Sequence, residues 1–174
     1  MMMVKNKSSI GAADLMAELE ADPEWVEQDR QRREKHQASV DAMQAEMAPE
    51  ERLLVRDLAA AGSHLTSVFE MVNTSDSYPE AIPVLLKHLP VTTHPVLRQG
   101  IGRALAVGEA EGLAGPALLA ELRREQDAET RWVFANTLTI VADRKDAEQL
   151  KAMIDDPRYE DVRERLSQAL KNVS

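Results

Sequence analysis

Metal or proton-transfer chemistry in this chain would fall first to four histidines, His36, His64, His88 and His94, because the 174 residues include no cysteine. The lack of cysteine rules out a disulfide framework, a thiolate metal site and a thiol nucleophile. The histidines form no HExxH pair, and His88 and His94 lie six apart across a turn containing Pro90. Imidazole ligands that share a metal sit at tighter, helix-compatible spacings, so no metal site is expected. Gly100-Ile101-Gly102 has the first two glycines of a dinucleotide loop but not the third. It also falls inside a helical stretch and not after a strand. Gly62-Ser63 lacks the rest of a nucleophile elbow. The paired acids Glu50-Glu51 and Asp155-Asp156 stand at helix starts, where capping explains them without acid–base chemistry. No catalytic, metal-binding or cofactor-binding residue is expected, and the chain reads as more akin to a binding protein than to an enzyme.

The most patterned polar residues are arginines. Pro95 to Leu105 aligns with Ala128 to Leu138 at an offset of 33, and Glu160 to Leu170 joins after a further 32. In each copy an arginine (Arg98, Arg131, Arg163) precedes a small residue by four (Gly102, Ala135, Ser167) and a leucine by seven (Leu105, Leu138, Leu170). Guanidinium forks placed in a row can bind carboxylates bidentately. Arg103 and Asn136 form a second pair at the same offset of 33. Trp132 stands beside Arg131 and either joins Val133 and Phe134 in a core or serves as an exposed binding anchor. The candidate partner-binding set is therefore Arg98, Arg103, Arg131, Trp132, Asn136 and Arg163.

These residues need elements to hold them. Aromatic residues are only 3% of the chain, and the apolar content is mostly Ala, Leu, Val and Met, a palette that favours helix over sheet. Each arginine-bearing helix is preceded by another: Ile82-Pro83-Val84-Leu85-Leu86 aligns with Gly115-Pro116-Ala117-Leu118-Leu119, and Ala147 to Ile154 is a looser third copy. The turns between them, Thr92 to Pro95, Gln126-Asp127 and Asp155 to Pro157, carry capping residues. A single helical hairpin cannot bury its apolar face, so three in series must stack on one another.

The last unit, with Asp156-Pro157 in the turn, Val162-Arg163 opening the second helix and Ala169-Leu170 near its end, resembles the HEAT and HEAT-like repeat family. The resemblance covers about Pro79 to Leu170. It departs from the pattern where Thr93-His94-Pro95 and Asp127 stand in place of Asp-Pro. The resemblance implies an all-α superhelix of about three helical hairpins preceded by a helical cap. It implies that the second helices line the inner face, which would bring Arg98, Arg131 and Arg163 together. It also implies a competing role for the arginines, a ladder of ion pairs between adjacent turns, with Asp127 and Asp156 as possible partners. The Ala21 to Val26 stretch is similar to the start of bacterial HEAT-like proteins that open on a long acidic helix. Some HEAT-like proteins are DNA glycosylases or pigment lyases, which is the enzymatic alternative.

The N-terminal third differs in character. Asp22-Pro23-Glu24 is a strong helix start, and Trp25 to Met47 contains no Gly or Pro. Glu27 to Gln37 has no apolar residue, so it has no stripe with which to pack on a core. Pro49-Glu50-Glu51 is read as the start of a separate helix ending at Gly62, with Ser63 capping a short helix whose apolar face is Leu65, Val68, Phe69 and Val72. The expected divisions are a flexible 1–13, a helical region 14–77, and a repeat array 78–174 continuous with 50–77. Of the net charge of −9, residues 14–57 carry −7. The balance disfavours nucleic acid and anionic membranes, and favours a protein partner of basic character. A homodimer through the N-terminal helix is a further possibility. With no export signal or apolar span of about 18 residues, a cytoplasmic location is expected.

Overall fold

A computed structural model of the chain describes Gly11, Met16, residues 21–63 and residues 67–173. The flexible segment expected at 1–13, His64 and Leu65 lie outside the described residues, Gly11 excepted. All regular structure among the described residues is helical. The chain divides into two compact units, Met1–Ala45 and Glu46–Ser174.

Helix α1 (Pro23–Ala60) runs through that division. Asp22 caps it, its Oδ1 accepting the Glu24 amide at 2.9 Å. Within the first unit the helix is held by its own surface pairs: Arg30 bridges Glu27 and Glu34, both at 2.8 Å, and Arg33 meets Asp29 at 2.6 Å. Such exposed pairs contribute little each, and they are what a helix without an apolar stripe has available. The break expected before Pro49 does not occur: the helix continues to Ala60 with Pro49 inside it. A proline costs the Ala45 carbonyl its helical donor, and the division into two units falls directly after Ala45.

The second unit contains the repeats. Helices α2 (Val68–Asn73), α3 (Ile82–His88), α4 (Pro95–Ala104), α5 (Gly115–Arg124), α6 (Ala128–Val141), α7 (Ala147–Ile154) and α8 (Arg163–Val173) follow in order, with short 3₁₀ turns before α3, α5, α7 and α8. The N-cap of α2 is Ser67, which accepts the Phe69 amide, and not the expected Ser63, which is buried. Helices α5 and α6 pack as a hairpin, as do α7 and α8. The later helices also pack side by side in the series α2, α4, α6, α8. Their contact leucines behave as the repeat spacing predicts: Leu105 and Leu138 are buried, and Leu170 at the last helix is half-buried.

The glycines of α4 explain how closely this series packs. A Cβ at Gly102 would lie 3.0 Å from the Phe134 ring, and one at Gly100 would lie 2.9 Å from the Phe69 ring. Helix α4 is thereby pinched between α2 and α6, and every residue from Leu97 to Gly102 is buried.

The turns repeat their capping chemistry with one substitution. Asp127 caps α6 by accepting the Thr130 amide, and Asp156 accepts the Arg158 amide. His94 stands at the same place before α4 and offers no side-chain cap. The carboxylate arrives from elsewhere: Glu50 of α1 accepts the Thr93 amide at 2.8 Å and the His94 amide at 3.3 Å. The acid missing from the first turn is supplied by the C-terminal half of α1, which closes the start of the array.

Candidate functional site

The three repeated arginines perform one structural task. Arg98 donates to the carbonyls of Leu89 and Thr92 at 3.2 and 3.0 Å, residues nine and six before it. Arg131 reaches the Glu125 carbonyl six before it at 3.4 Å, and Arg163 the Ile154 carbonyl nine before it at 3.1 Å. These carbonyls stand at or just past the C-terminal ends of α3, α5 and α7, where acceptors are unpaired and the helix dipole favours a cation. Each arginine ties its own helix to the end of the preceding one.

Their acidic partners extend the ladder, though not through the aspartates the turns suggested. Arg98 pairs with Glu125 at 2.8 Å and Glu121 at 3.1 Å, and its guanidinium lies 5.4 Å from the Phe134 ring centre. Arg131 grips Asp161 with two bonds of 2.7 Å and also donates to the Arg158 carbonyl. Arg163 pairs with Glu160 at 2.6 Å. Asp127 and Asp156 instead cap helices. Of the candidate set, Arg98 is buried at 8% exposure with its donors engaged, and so offers nothing to a partner.

Trp132, Asn136 and Arg103 are placed differently. Trp132 is 44% exposed, so the core placement open to it is not the one adopted. The buried face of α6 is Thr130, Val133, Phe134, Ala135, Thr137, Leu138 and Val141, and Trp132 lies outside it. Asn136 follows one turn on and Ile140, 45% exposed, one turn further. On the α4 side Arg103 reaches Glu129 at 3.5 Å. It also lines a polar depression of about 380 Å³ with Thr74, Ser77, Tyr78 and Glu109. On the α8 side Arg165, which the sequence reading did not single out, stacks on Trp132 with its guanidinium 5.4 Å from the ring centre. The repeat gives no signal for it: the last step of the array is 32 residues, which makes Glu164 the equivalent of Trp132.

His88 is buried and its Nε2 lies 3.0 Å from Asp57, which also meets Lys87 at 2.8 Å. Hydrogen bonds from Lys87, His88 and Arg56 hold the Asp57 carboxyl well below the usual carboxylate range. No group of three or more His, Asp or Glu side chains suited to a metal occurs among the described residues. No helix among them is long and apolar enough to cross a membrane.

Several carboxyls share this depression: Asp127 through its bonds with Thr130, and Asp161 through the Arg131 guanidinium. At Glu50 burial opposes ionisation, but the Thr93 and His94 bonds outweigh it. A folded-state value below the unfolded one stabilises the fold above the unfolded pKa, and that contribution is lost as the pH falls. The melting midpoint should therefore decline below about pH 4, the ordinary carboxylate range. Asp57→Asn should flatten the acid side of a melting series. An unchanged acid limb would show that the Asp57 contacts add nothing to stability.

Compared with known proteins, the chain matches no family model, no curated protein and no solved structure.

Proposed function

We propose that this chain is a non-enzymatic binding scaffold, built of HEAT-like helical hairpins, that recognises a protein partner through the exposed face of α6. The observation that carries this reading is Trp132. The large residues of the second unit are otherwise mostly internal, yet the largest side chain in its array stands half in water at the middle of the later-helix series. An indole fixed by a neighbouring guanidinium is costly to expose and is the side chain most enriched at interaction hot spots. The arginines that cap the hairpins are the framework of this surface, and Arg103, Asn136 and Arg165 are its flanks.

The test compares capture from native lysate by the wild-type chain and by Trp132→Ala, with melting curves recorded for both. A partner held by the first and weakened more than tenfold in the second, a loss of about 1.4 kcal/mol, with melting preserved, supports the scaffold. Identical capture by both chains counts against the α6 face, and the absence of any retained protein counts against the scaffold itself.

A further inference from the structure

From the hydrogen-bond inventory of this face we infer the chemistry of its partner: a short acidic segment in which an aliphatic or aromatic side chain sits next to a carboxylate. The inference rests on the scaffold reading above and names what that surface would hold.

The chain as a whole is acidic, which would point to a basic partner, but the local surface has the opposite need. Most of the excess charge lies before residue 58, and at physiological salt the Debye length is about 8 Å, so charges in contact outweigh distant ones. At the α6 face the available polar groups are mainly donors. Among the described residues no protein acceptor reaches the Arg165 guanidinium, the Asn136 side-chain amide or the Trp132 indole N–H. Arg103 is held only by contacts of 3.5 Å, to Gln99 and Glu129, the outer limit of a hydrogen bond.

Two acids share the face. Glu129 is committed loosely to Arg103, and Glu164 stands exposed on α8. They do not cancel the donors, because no carboxylate is paired with the Arg165 guanidinium, which lies over the Trp132 ring. A planar guanidinium already oriented by an aromatic ring loses little freedom when it donates two hydrogen bonds to a carboxylate. Trp132 and Ile140 offer apolar area on either side of Asn136 along one stripe of the helix. An apolar side chain on the indole and a carboxylate on Arg165 therefore satisfy both halves of the surface at once.

The experiment is selection of a random short-peptide display library on the folded full chain, followed by titration of the enriched peptides. The expected enrichment is Asp or Glu beside Leu, Phe or a similar side chain. Affinity should fall more than tenfold in Trp132→Ala and in Arg165→Ala, with unchanged melting curves. Arg165→Glu should lose the acidic peptides and recover binding when their acids are replaced by lysine. Enrichment of Lys- and Arg-rich peptides, or acidic peptides that bind Trp132→Ala and Arg165→Glu as tightly as the wild type, would overturn the inference while leaving a binding scaffold in place. A library with no enrichment on the folded chain would overturn both.

Discussion

Arg98→Ala is expected to destabilise the second unit by about 3–5 kcal/mol, the usual cost of removing one partner from a buried ion pair. The side chains of Arg98, Glu121 and Glu125 are 10, 6 and 11% exposed. The substitution leaves two carboxylates without their shared cation, and leaves the Leu89 and Thr92 carbonyls without a donor at the end of α3. Arg124 still meets Glu121, Nε to Oε2 at 2.7 Å, which holds the loss toward the lower end of the range. The midpoint of thermal unfolding should fall by on the order of 10 °C for an array of this size. Arg98→Lys should recover little, since a point charge cannot occupy four acceptors in a fork geometry. Arg163→Ala is the control: its side chain is 38% exposed and its partner Glu160 is 73% exposed, so the pair should contribute below about 1 kcal/mol. Equal losses for Arg98 and Arg163 in denaturant titrations would show that burial does not grade the ladder.

The gradation explains which parts of this protein could be seen in its residues. The spacing of 33 and then 32 residues places the hairpins and three equivalent arginines, because stacking demands the same residue type at the same depth in each unit. It could not show that Arg98 is buried and Arg163 is not. That difference comes from position in the array: α4 has neighbours on both sides and two glycines that draw them in. Pro49 misled for a related reason. Locally it is a breaker, yet one lost hydrogen bond is outweighed when Glu50 and Asp57, just after it, are tied to the first turn and to α3. The Glu50 contact spans 43 residues, and no local pattern encodes it. Its only trace is the missing aspartate before Pro95. Trp132 was closer to legible. Extending the three-four stripe through Val133, Phe134 and Leu138 excludes it, and the ambiguity arose from reading its neighbours in place of that spacing.

Residues 132 and 134 should consequently behave as opposites. Phe134→Ala is expected to cost about 3–5 kcal/mol, as for other fully buried aromatics, whereas Trp132→Ala, which loses mainly the Arg165 stacking, should cost no more than about 1 kcal/mol. The Phe134 ring is wholly buried; it fills the space that Gly102 leaves on α4, and the Arg98 guanidinium lies over it. Gly102→Ala alone gains helix propensity of up to about 1 kcal/mol. The added methyl meets the Phe134 and Val133 side chains at 3.0 Å, and overpacking of this kind costs about 1–3 kcal/mol. The net effect should be mildly destabilising. In the Phe134→Ala background the clash with the ring is gone and only the 3.0 Å approach to Val133 remains, so Gly102→Ala should there cost less than in the wild type. A double-mutant cycle should thus return a coupling of roughly 1–2 kcal/mol between positions 102 and 134, in the range found for residues in direct contact. Additive effects would mean that α4 and α6 do not approach through this glycine, and the close stacking of the later helices would lose its explanation.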